Sequence, residues 1–230
     1  TLFISLSVGY AIGDGRADSL AETLKQADNN MYREKLHRSR SARSAMVHTV
    51  MQMMSERDFI TEEHAERLQD WVVELAQRVG VSEEKYFDLR LFAQFHDIGK
   101  VGIADSILKK AGPLTADEME DMKRHCEIGH RIAQSSPELA PIADWVLKHQ
   151  ERWDGTGYPF GLAGEKIPLE CRILALVDAY DAMTSDRPYR RAMGHDAAVA
   201  ELRRSAGTQF DPHLTRLFLD FLAEIKPDKK

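Results

Sequence analysis

Apolar residues alternate with polar ones only at the start of the chain, and elsewhere they recur at helical spacing. Over residues 1–12 the alternation predicts a strand that is buried on one face. A helix is predicted to follow, from a cap at Ser19 to about residue 36. A lone strand has no partner for its backbone groups, so we expect this segment to belong to a larger domain whose remainder lies upstream. Because no initiator Met precedes Thr1, we expect a fragment of a longer protein.

Residues 37–54 are predicted to form a linker helix behind a basic, Ser-rich lead. Val47, Val50 and Met54 recur at helical spacing and form one apolar stripe. The stripe is compatible with two interpretations: it packs into the core of this chain, or it pairs with the same helix of a second copy. A stripe of Met and Val residues is more often core, and a homodimer formed through this helix stays open.

From residue 55 onward the pattern is helical throughout, and the predicted fold class is all-α. Helices are expected at about 61–80, 82–99, from 115 onward, 139–150, 169–184, 195–206 and 212–224. Thr115 and Glu118 have the spacing of a capping box, so the third helix is expected to begin there. The predicted organisation is therefore a strand-plus-helix segment over 1–36, a linker helix over 37–54 and a helical domain over 55–230.

Composition and charge limit the classes of binding partner and the cellular environment that we expect for the protein. The 230 residues are 43% hydrophobic and 30% charged, which is typical of a soluble chain with one or two sizeable cores. The net charge of −6 argues against a nucleic-acid-binding surface, although local arginines are able to hold a small anion. Cys126 and Cys171 are too few and too far apart for a disulfide framework or a zinc knuckle, which favours a reducing cytoplasm. No apolar run approaches the length of a membrane span.

Candidate chemistry lies in the stretch FAQFHDIGK, where His96 and Asp97 follow an apolar helix face. Such a helix carries the pair towards the interior, where ionisable groups are paired or bound to a metal. One His-Asp pair is weak evidence, but further candidate ligands occur on other predicted helices. They are His64, His125, His149 and Asp178. Four histidines and two aspartates are able to hold two metal ions with Asp97 as the bridge, and they suit Fe, Mn, Zn or Co better than Mg or Ca. Two such ions are a recognised device for the hydrolysis of phosphate esters.

Some of these candidates also have an interpretation without a metal. His64 follows two glutamates and suits an exposed helix position. Asp178 is flanked by apolar residues, and a carboxylate embedded in an apolar helix needs a partner. Histidines in polar or linker contexts are expected on the surface, namely His37, His48, His195 and His213.

His125 and His130 are alternative candidates for one metal ligand. They are five residues apart and do not share a helix face, so one of them is expected to lie outside. We select His125 because Met119 and Met122 precede it on the helix side that is expected to face the core.

Three long motifs, in this order, carry a resemblance to a known family. The stretches HDIGKVGIADSILKKAGPLT, HQERWDGTGYPFGLAGEKIPL and VDAYDAMTSDRPYR resemble the HD-GYP domain, a bacterial subset of the HD phosphohydrolase superfamily. The resemblance covers roughly residues 55–222. It implies a helical fold, a metal centre and hydrolysis of cyclic di-GMP to pGpG and then GMP.

The resemblance also implies roles for individual residues. One ion would be held by His64, His96, Asp97 and Asp178, and the other by Asp97, His125 and His149. Asp97 and Lys100 would act at the reacting phosphate, with Lys100 beside it. Contacts to the dinucleotide fall on Lys100, Tyr158, Asp181, Arg187 and Arg190. The implied cofactors are two divalent transition-metal ions, Fe or Mn first, with Zn, Co or Ni as alternatives.

The sequence departs from the HD-GYP pattern at two positions. Gln150 replaces the second histidine of the usual His-His-Glu motif. Ile60 stands where members with three metals carry a glutamate, four residues before the first histidine ligand. Both changes remove ligands from the region of a third metal, so we predict a site for two ions.

A second resemblance lies in the N-terminal segment. SLSVGYAI followed by LAETLKQADNNMYREK is similar to the last strand and last helix of a GGDEF domain, over about residues 1–36. The signature loop of that family is absent from this chain, so no cyclase activity is implied.

Three functions stay open. The first is a cyclic di-GMP phosphodiesterase. The second is a binding module that senses cyclic di-GMP, or docks GGDEF proteins through Gly157-Tyr158-Pro159, without turnover. The third is a hydrolase of another cyclic dinucleotide or nucleotide. Comparing rates across such substrates separates the third function from the first.

Overall fold

The computed structural model describes residues 62–186 and 191–225, together with Thr23, and it describes the side chains from Glu66 onward. The predicted strand-plus-helix segment and linker helix therefore lie outside the described residues, apart from Thr23, which is helical. The GGDEF resemblance and the homodimer through the linker helix stay predictions. All of the helices below belong to one of two compact units of the chain, residues 54–230.

The described part of the chain is all-α, as predicted. Its helices are α1 (Glu62–Arg78), α2 (Tyr86–Phe95), α3 (Asp105–Leu108), α4 (Ala116–Lys123), α5 (His125–Ser135), α6 (Ala143–Lys148), α7 (Leu169–Thr184), α8 (His195–Ser205) and α9 (Pro212–Glu224). A 3-10 turn over Ile98–Gly102 connects α2 to the rest of the site. Within 62–186 and 191–225 no β-strand forms. In the same ranges no helix has both the length and the apolar character needed to cross a lipid bilayer.

Local sequence explains where several helices begin. The predicted capping box of α4 is confirmed, since Glu118 N donates to Thr115 Oγ1 at 3.2 Å and Thr115 N donates to Glu118 Oε2 at 2.7 Å. At α9, Asp211 accepts from the backbone N–H groups of the first turn, and Pro212 occupies its first position. The long helix that we expected over 82–99 is wrong in detail, because α2 ends at Phe95 and the chain tightens into the 3-10 turn.

The core that supports the site lies between α1, α2, α7 and α9. The ring of Trp71 on α1 lies 5.4 Å from that of Tyr180 on α7 and 6.4 Å from that of Phe218 on α9. Phe92 of α2 packs against Trp145 of α6, with the ring centroids 5.6 Å apart. The 3-10 turn packs against α5, and α5 packs against α6. Asp97, α5 and the end of α6 are therefore brought to one place.

Candidate metal centre

Three buried imidazoles share one arrangement. His96 directly follows α2, His125 begins α5 and His149 directly follows α6, and each ring donates from Nδ1 to the carbonyl of the residue three positions earlier. The accepting carbonyls belong to Ala93, Met122 and Val146, at 2.8, 2.7 and 2.7 Å respectively. A carbonyl cannot donate, so the hydrogen is on Nδ1 and Nε2 faces the site. Such a hydrogen bond is the usual way to orient a histidine that binds a metal through its other nitrogen.

One oxygen of Asp97 lies among these nitrogens. Oδ1 is 3.5 Å from Nε2 of His125 and 3.4 Å from Nε2 of His149, and the two nitrogens are 3.2 Å apart. Oδ1 is buried and forms no hydrogen bond with any described residue. With neutral imidazoles, all three atoms present lone pairs and none can donate a hydrogen. Donor atoms about 2.1 Å from one ion lie roughly 3.0–3.4 Å apart, so this triangle fits one bound cation.

The other oxygen of Asp97 belongs to a second set of groups. Oδ2 lies 3.4 Å from Nε2 of His96 and 2.8 Å from Nζ of Lys100. Asp178 approaches the same imidazole, with its Oδ1 4.0 Å from Nε2 of His96. The two oxygens of Asp97 thus face different partners, which is the arrangement that a carboxylate bridging two ions requires.

The charges of the site shift the pKa values of its members in different directions. Burial works to raise the pKa of Asp97, but the charges of Lys100 and His96 outweigh it and hold that pKa well below its usual range. Burial also works to lower the pKa of His96, yet Asp97 and Asp178 raise it to about 9. For His125 burial prevails and lowers the pKa to about 4. At neutral pH these shifts favour a protonated His96 and a neutral His125.

Asp178 is less enclosed than the sequence led us to expect. Its side chain is 46% exposed, although the neighbouring residues Leu176 and Val177 are buried. It lies on the side of α7 that faces His96, so its apolar neighbours on the helix do not surround it. His64 lies in α1, but its side chain is outside the described residues, and so are Arg187 and Arg190.

The structure separates His125 from His130. His125 is buried in the cluster, whereas Nδ1 of His130 donates to the carbonyl of Ala143 at 2.9 Å. The reason that we used to select His125 was wrong, because Met119 is 41% exposed. The helical hydrogen bonding is interrupted at Arg124, between α4 and α5. The apolar face of α4 therefore does not continue into α5.

Two residues that were expected to contact the substrate, Tyr158 and Asp181, contact other side chains of the protein. The ring of Tyr158 lies edge-on to that of His125, with centroids 6.3 Å apart, and burial raises the pKa of its phenol. Asp181 is buried and accepts a hydrogen bond from Nε of Arg67 at 2.8 Å. Arg67 also donates to Ser185 Oγ at 2.9 Å and keeps 37% of its side chain exposed. Arg67, rather than Asp181, is the more exposed member of this pair.

Glu151, Cys126 and Arg67 are parts of the site region to which sequence reasoning gave no role. The buried carboxylate of Glu151 accepts the N–H groups of Phe160 and Leu162, at 2.8 and 2.9 Å, and so holds residues 157–162, here called the GYP loop. Sγ of Cys126 lies 3.5 Å from Nε2 of His125. Their positions in the sequence could have indicated a role, because each lies close to a candidate ligand histidine. Cys126 and Glu151 lie within two residues of His125 and His149, and Arg67 follows His64 by less than one helical turn.

Comparison with known proteins finds named phosphodiesterases among the relatives of this chain. The chain is 42% identical to the cyclic di-GMP phosphodiesterase response regulator RpfG of Xanthomonas campestris pv. campestris over 172 residues, which are 74% of this chain and 46% of that protein. It is 33% identical to 3'3'-cGAMP-specific phosphodiesterase 2 of Vibrio cholerae over 188 residues, 81% of this chain and 36% of that protein. The chain thus spans less than half the length of both relatives.

A solved structure has the same fold. The crystal structure of the cyclic GMP-AMP-specific phosphodiesterase V-cGAP3 of V. cholerae superposes with a TM-score of 0.60 at 19% identity, covering 79% of this chain and 48% of that one. The family model described as HD domain matches residues 48–214. The match covers most of the chain and includes His64, the His96-Asp97 pair and Asp178, and the chain therefore belongs to the HD domain family.

Proposed function

We propose that this chain is a metal-dependent phosphodiester hydrolase that converts cyclic di-GMP to pGpG, to GMP or to both. The observation that carries the proposal is the buried triangle formed by Asp97 Oδ1 and the Nε2 atoms of His125 and His149. With the Nδ1 hydrogens of both rings donated to backbone carbonyls, the three atoms face one another with lone pairs, and a cation between them offsets the repulsion. The HD domain family is metal-dependent, which agrees with this reading.

The proposed centre holds two divalent ions. His64, His96, Asp97 and Asp178 would bind one ion, and Asp97, His125 and His149 the other. The mixed imidazole and carboxylate set suits Fe or Mn, with Zn, Co or Ni as alternatives. When bound, two such ions supply Lewis acidity, a water molecule activated near neutral pH and a template that orients the phosphodiester.

The side chains around the centre complete the chemistry. Lys100 holds its ammonium 2.8 Å from Asp97 Oδ2, where it would neutralise negative charge that develops on a phosphoryl oxygen. Tyr158 would offer its ring or hydroxyl to a guanine beside His125. Arg187 and Arg190 would form fork-shaped contacts to phosphate oxygens or guanine edges, and Asp181 would act by orienting Arg67.

The relatives support two substrates of one class. RpfG is named a cyclic di-GMP phosphodiesterase, and the chain is more similar to it than to the relative named 3'3'-cGAMP-specific. Cyclic di-GMP is therefore the proposed substrate, and 3'3'-cGAMP is the alternative. The two ligands differ by one base, so the difference must be read by groups that contact the base edge.

A docking role for the GYP loop is a separate proposal. Phe160 follows the Gly157-Tyr158-Pro159 motif directly and exposes 58% of its surface. An exposed aromatic ring on a loop anchored by Glu151 suits contact with a protein partner, and a GGDEF-domain protein is the partner that the sequence suggests. Binding of a GGDEF protein that is lost in Phe160→Asp, with turnover unchanged, supports it.

The decisive experiment is turnover of cyclic di-GMP by the chain loaded anaerobically with Fe(II) or Mn(II). We expect pGpG or GMP from the unmodified chain, and neither metal binding nor product from Asp97→Ala. Asp144→Ala, which alters an exposed carboxylate of α6, is the matched control and should behave like the unmodified chain. If the chain binds two metals and cyclic di-GMP but forms no product, the function is that of a cyclic di-GMP sensor rather than an enzyme. A faster reaction with 3'3'-cGAMP would reassign the substrate.

A further inference from the structure

Cys126 lies at the edge of the proposed metal centre and has no role in the function described above. It is the second residue of α5 and is fully buried. Its Sγ lies 3.5 Å from Nε2 of His125, and suitable donor atoms of Cys126, His125 and His149 lie within 4.8 Å of one another. A nitrogen about 2.1 Å and a sulfur about 2.3 Å from one ion are roughly 3.1–3.6 Å apart. The thiol is therefore at ligand distance from the position that His125 would give an ion.

A second observation points to the same position. Oδ1 of Asp97 is buried without a hydrogen-bond partner among the described residues, and it faces His125 and His149 from the 3-10 turn side. The thiol of Cys126 and the carboxylate oxygen of Asp97, which lie on different elements, are thus each 3.5 Å from Nε2 of His125.

Among the described residues near Cys126, His125 is the hydrogen-bond acceptor available to its thiol. The Nδ1 atom of His149, 4.0 Å from Sγ, already donates to the carbonyl of Val146. The thiol is able to donate to Nε2 of His125, which has one lone pair. Once an ion takes that lone pair, the S–H group loses its acceptor, whereas a thiolate would gain a metal bond.

We propose that Sγ of Cys126 is a further ligand of the ion held by His125, His149 and Asp97, and that it directs this position towards Fe²⁺, Co²⁺ or Zn²⁺ rather than Mn²⁺. Binding breaks the S–H bond, forms a sulfur–metal bond and releases one proton to solvent. Thiolate ligands favour softer ions, while carboxylate and water ligands suit Mn²⁺. The proposal rests on the metal centre proposed above.

The test is a titration of the metal-free chain with Co²⁺, followed by its near-ultraviolet absorption. We expect an intense sulfur-to-cobalt charge-transfer band that saturates at one ion per chain. Cys126→Ser should lose the band. Cys171→Ser is the matched control, since Cys171 is also buried but donates to the carbonyl of Trp145, and it should keep the band.

The outcomes separate this proposal from the function on which it rests. Bound cobalt without the band, or a band that survives in Cys126→Ser, overturns the thiolate ligand and leaves the hydrolase standing. A chain that binds no cobalt overturns both. X-ray absorption of the unmodified, zinc-loaded chain gives an independent result, with a sulfur shell expected at about 2.3 Å. We also expect the ratio of Zn²⁺ to Mn²⁺ affinity to fall at least about tenfold in Cys126→Ser, and an unchanged ratio overturns the stated preference.

Discussion

Gly99 lies directly against the backbone of His125. A Cβ atom on Gly99 would be 1.8 Å from the carbonyl oxygen of His125 and 2.5 Å from the nitrogen of Gly129. The turn that follows Asp97 therefore approaches α5 more closely than any residue with a side chain permits. This approach helps to bring the carboxylate of Asp97 to the imidazole of His125, and it depends on a residue that has no chemistry of its own.

Replacement of Gly99 by alanine is expected to disrupt both the fold and the site. Because the clash is with backbone atoms, the turn must move away from α5, and we expect a loss of at least about 2 kcal/mol in the free energy of unfolding. Metal affinity should fall as well, since Asp97 moves relative to His125. Urea denaturation and metal analysis check both effects. Gly112→Ala is the control, because no atom lies within 4 Å of its added Cβ; equal behaviour of the two variants would refute the argument.

Lys100→Met should separate catalysis from metal binding. The ammonium group of Lys100 is a positive charge beside Asp97, so its removal does not weaken the attraction of the centre for cations. We expect two metals to remain bound and kcat to fall about a hundredfold or more, as for loss of one group that stabilises developing charge. Lys109→Met, in which an exposed pair with Asp105 is lost, should be unchanged. Turnover at the normal rate in Lys100→Met would remove this residue from the mechanism.

Glu151→Gln should loosen the GYP loop. The carboxylate accepts two backbone N–H groups, whereas an amide must turn its NH₂ group towards one of them. The buried donor left without an acceptor is expected to cost about 1–3 kcal/mol of stability. Hydrogen exchange at the amides of Phe160 and Leu162 should accelerate, and KM should rise because Tyr158 shares the loop. Glu165→Gln, at an exposed position, is the control; unchanged exchange at both amides would contradict the anchoring role.

The metal affinity of the centre should depend on pH at one of its two positions. The pKa of His96 is raised to about 9, so below that pH an incoming ion must displace a proton, and the affinity falls about tenfold for each unit of pH. The pKa of His125 is lowered to about 4, so this imidazole adds no such penalty at neutral pH. Titrations between pH 7 and pH 9 should show one site whose metal affinity falls as the pH falls and one site whose affinity changes less. They are best made on Cys126→Ser, in which no thiol proton contributes, and two sites of equal slope would contradict the prediction.

Helix periodicity predicted most of the fold. The bounds expected for α7 and α9 agree with the structure, because α7 follows Pro168 directly and is buried along most of its length, while α9 has an apolar face and a strong cap at Asp211. Periodicity predicted poorly where one helix stops and another starts within a polar stretch. The break at Arg124 is an example, since no glycine or proline marks it.

The composition of the candidate site was also predictable in part. His96, Asp97, His125 and His149 were selected from residue type and context, and the structure brings each of the three imidazoles within 3.5 Å of an oxygen of Asp97. Cys126 and Glu151 were not selected from the sequence. A cysteine in an apolar helix and a glutamate in a loop are common in proteins and do not by themselves indicate a functional site. Their distances to His125 and to the GYP loop amides make them distinctive.

The amino-acid sequence by itself determined the all-α character of residues 62–186 and 191–225 and the residue types able to bind metal, because apolar spacing and side-chain chemistry are local properties. The tertiary structure decided which oxygen of Asp97 faces which imidazole, the exposure of Asp178 and the pairing of Asp181 with Arg67. These relationships join residues distant along the chain. A helical pattern reports that a face is apolar, but only packing decides which other helix covers it, and a site built at several helix ends takes its geometry from that packing.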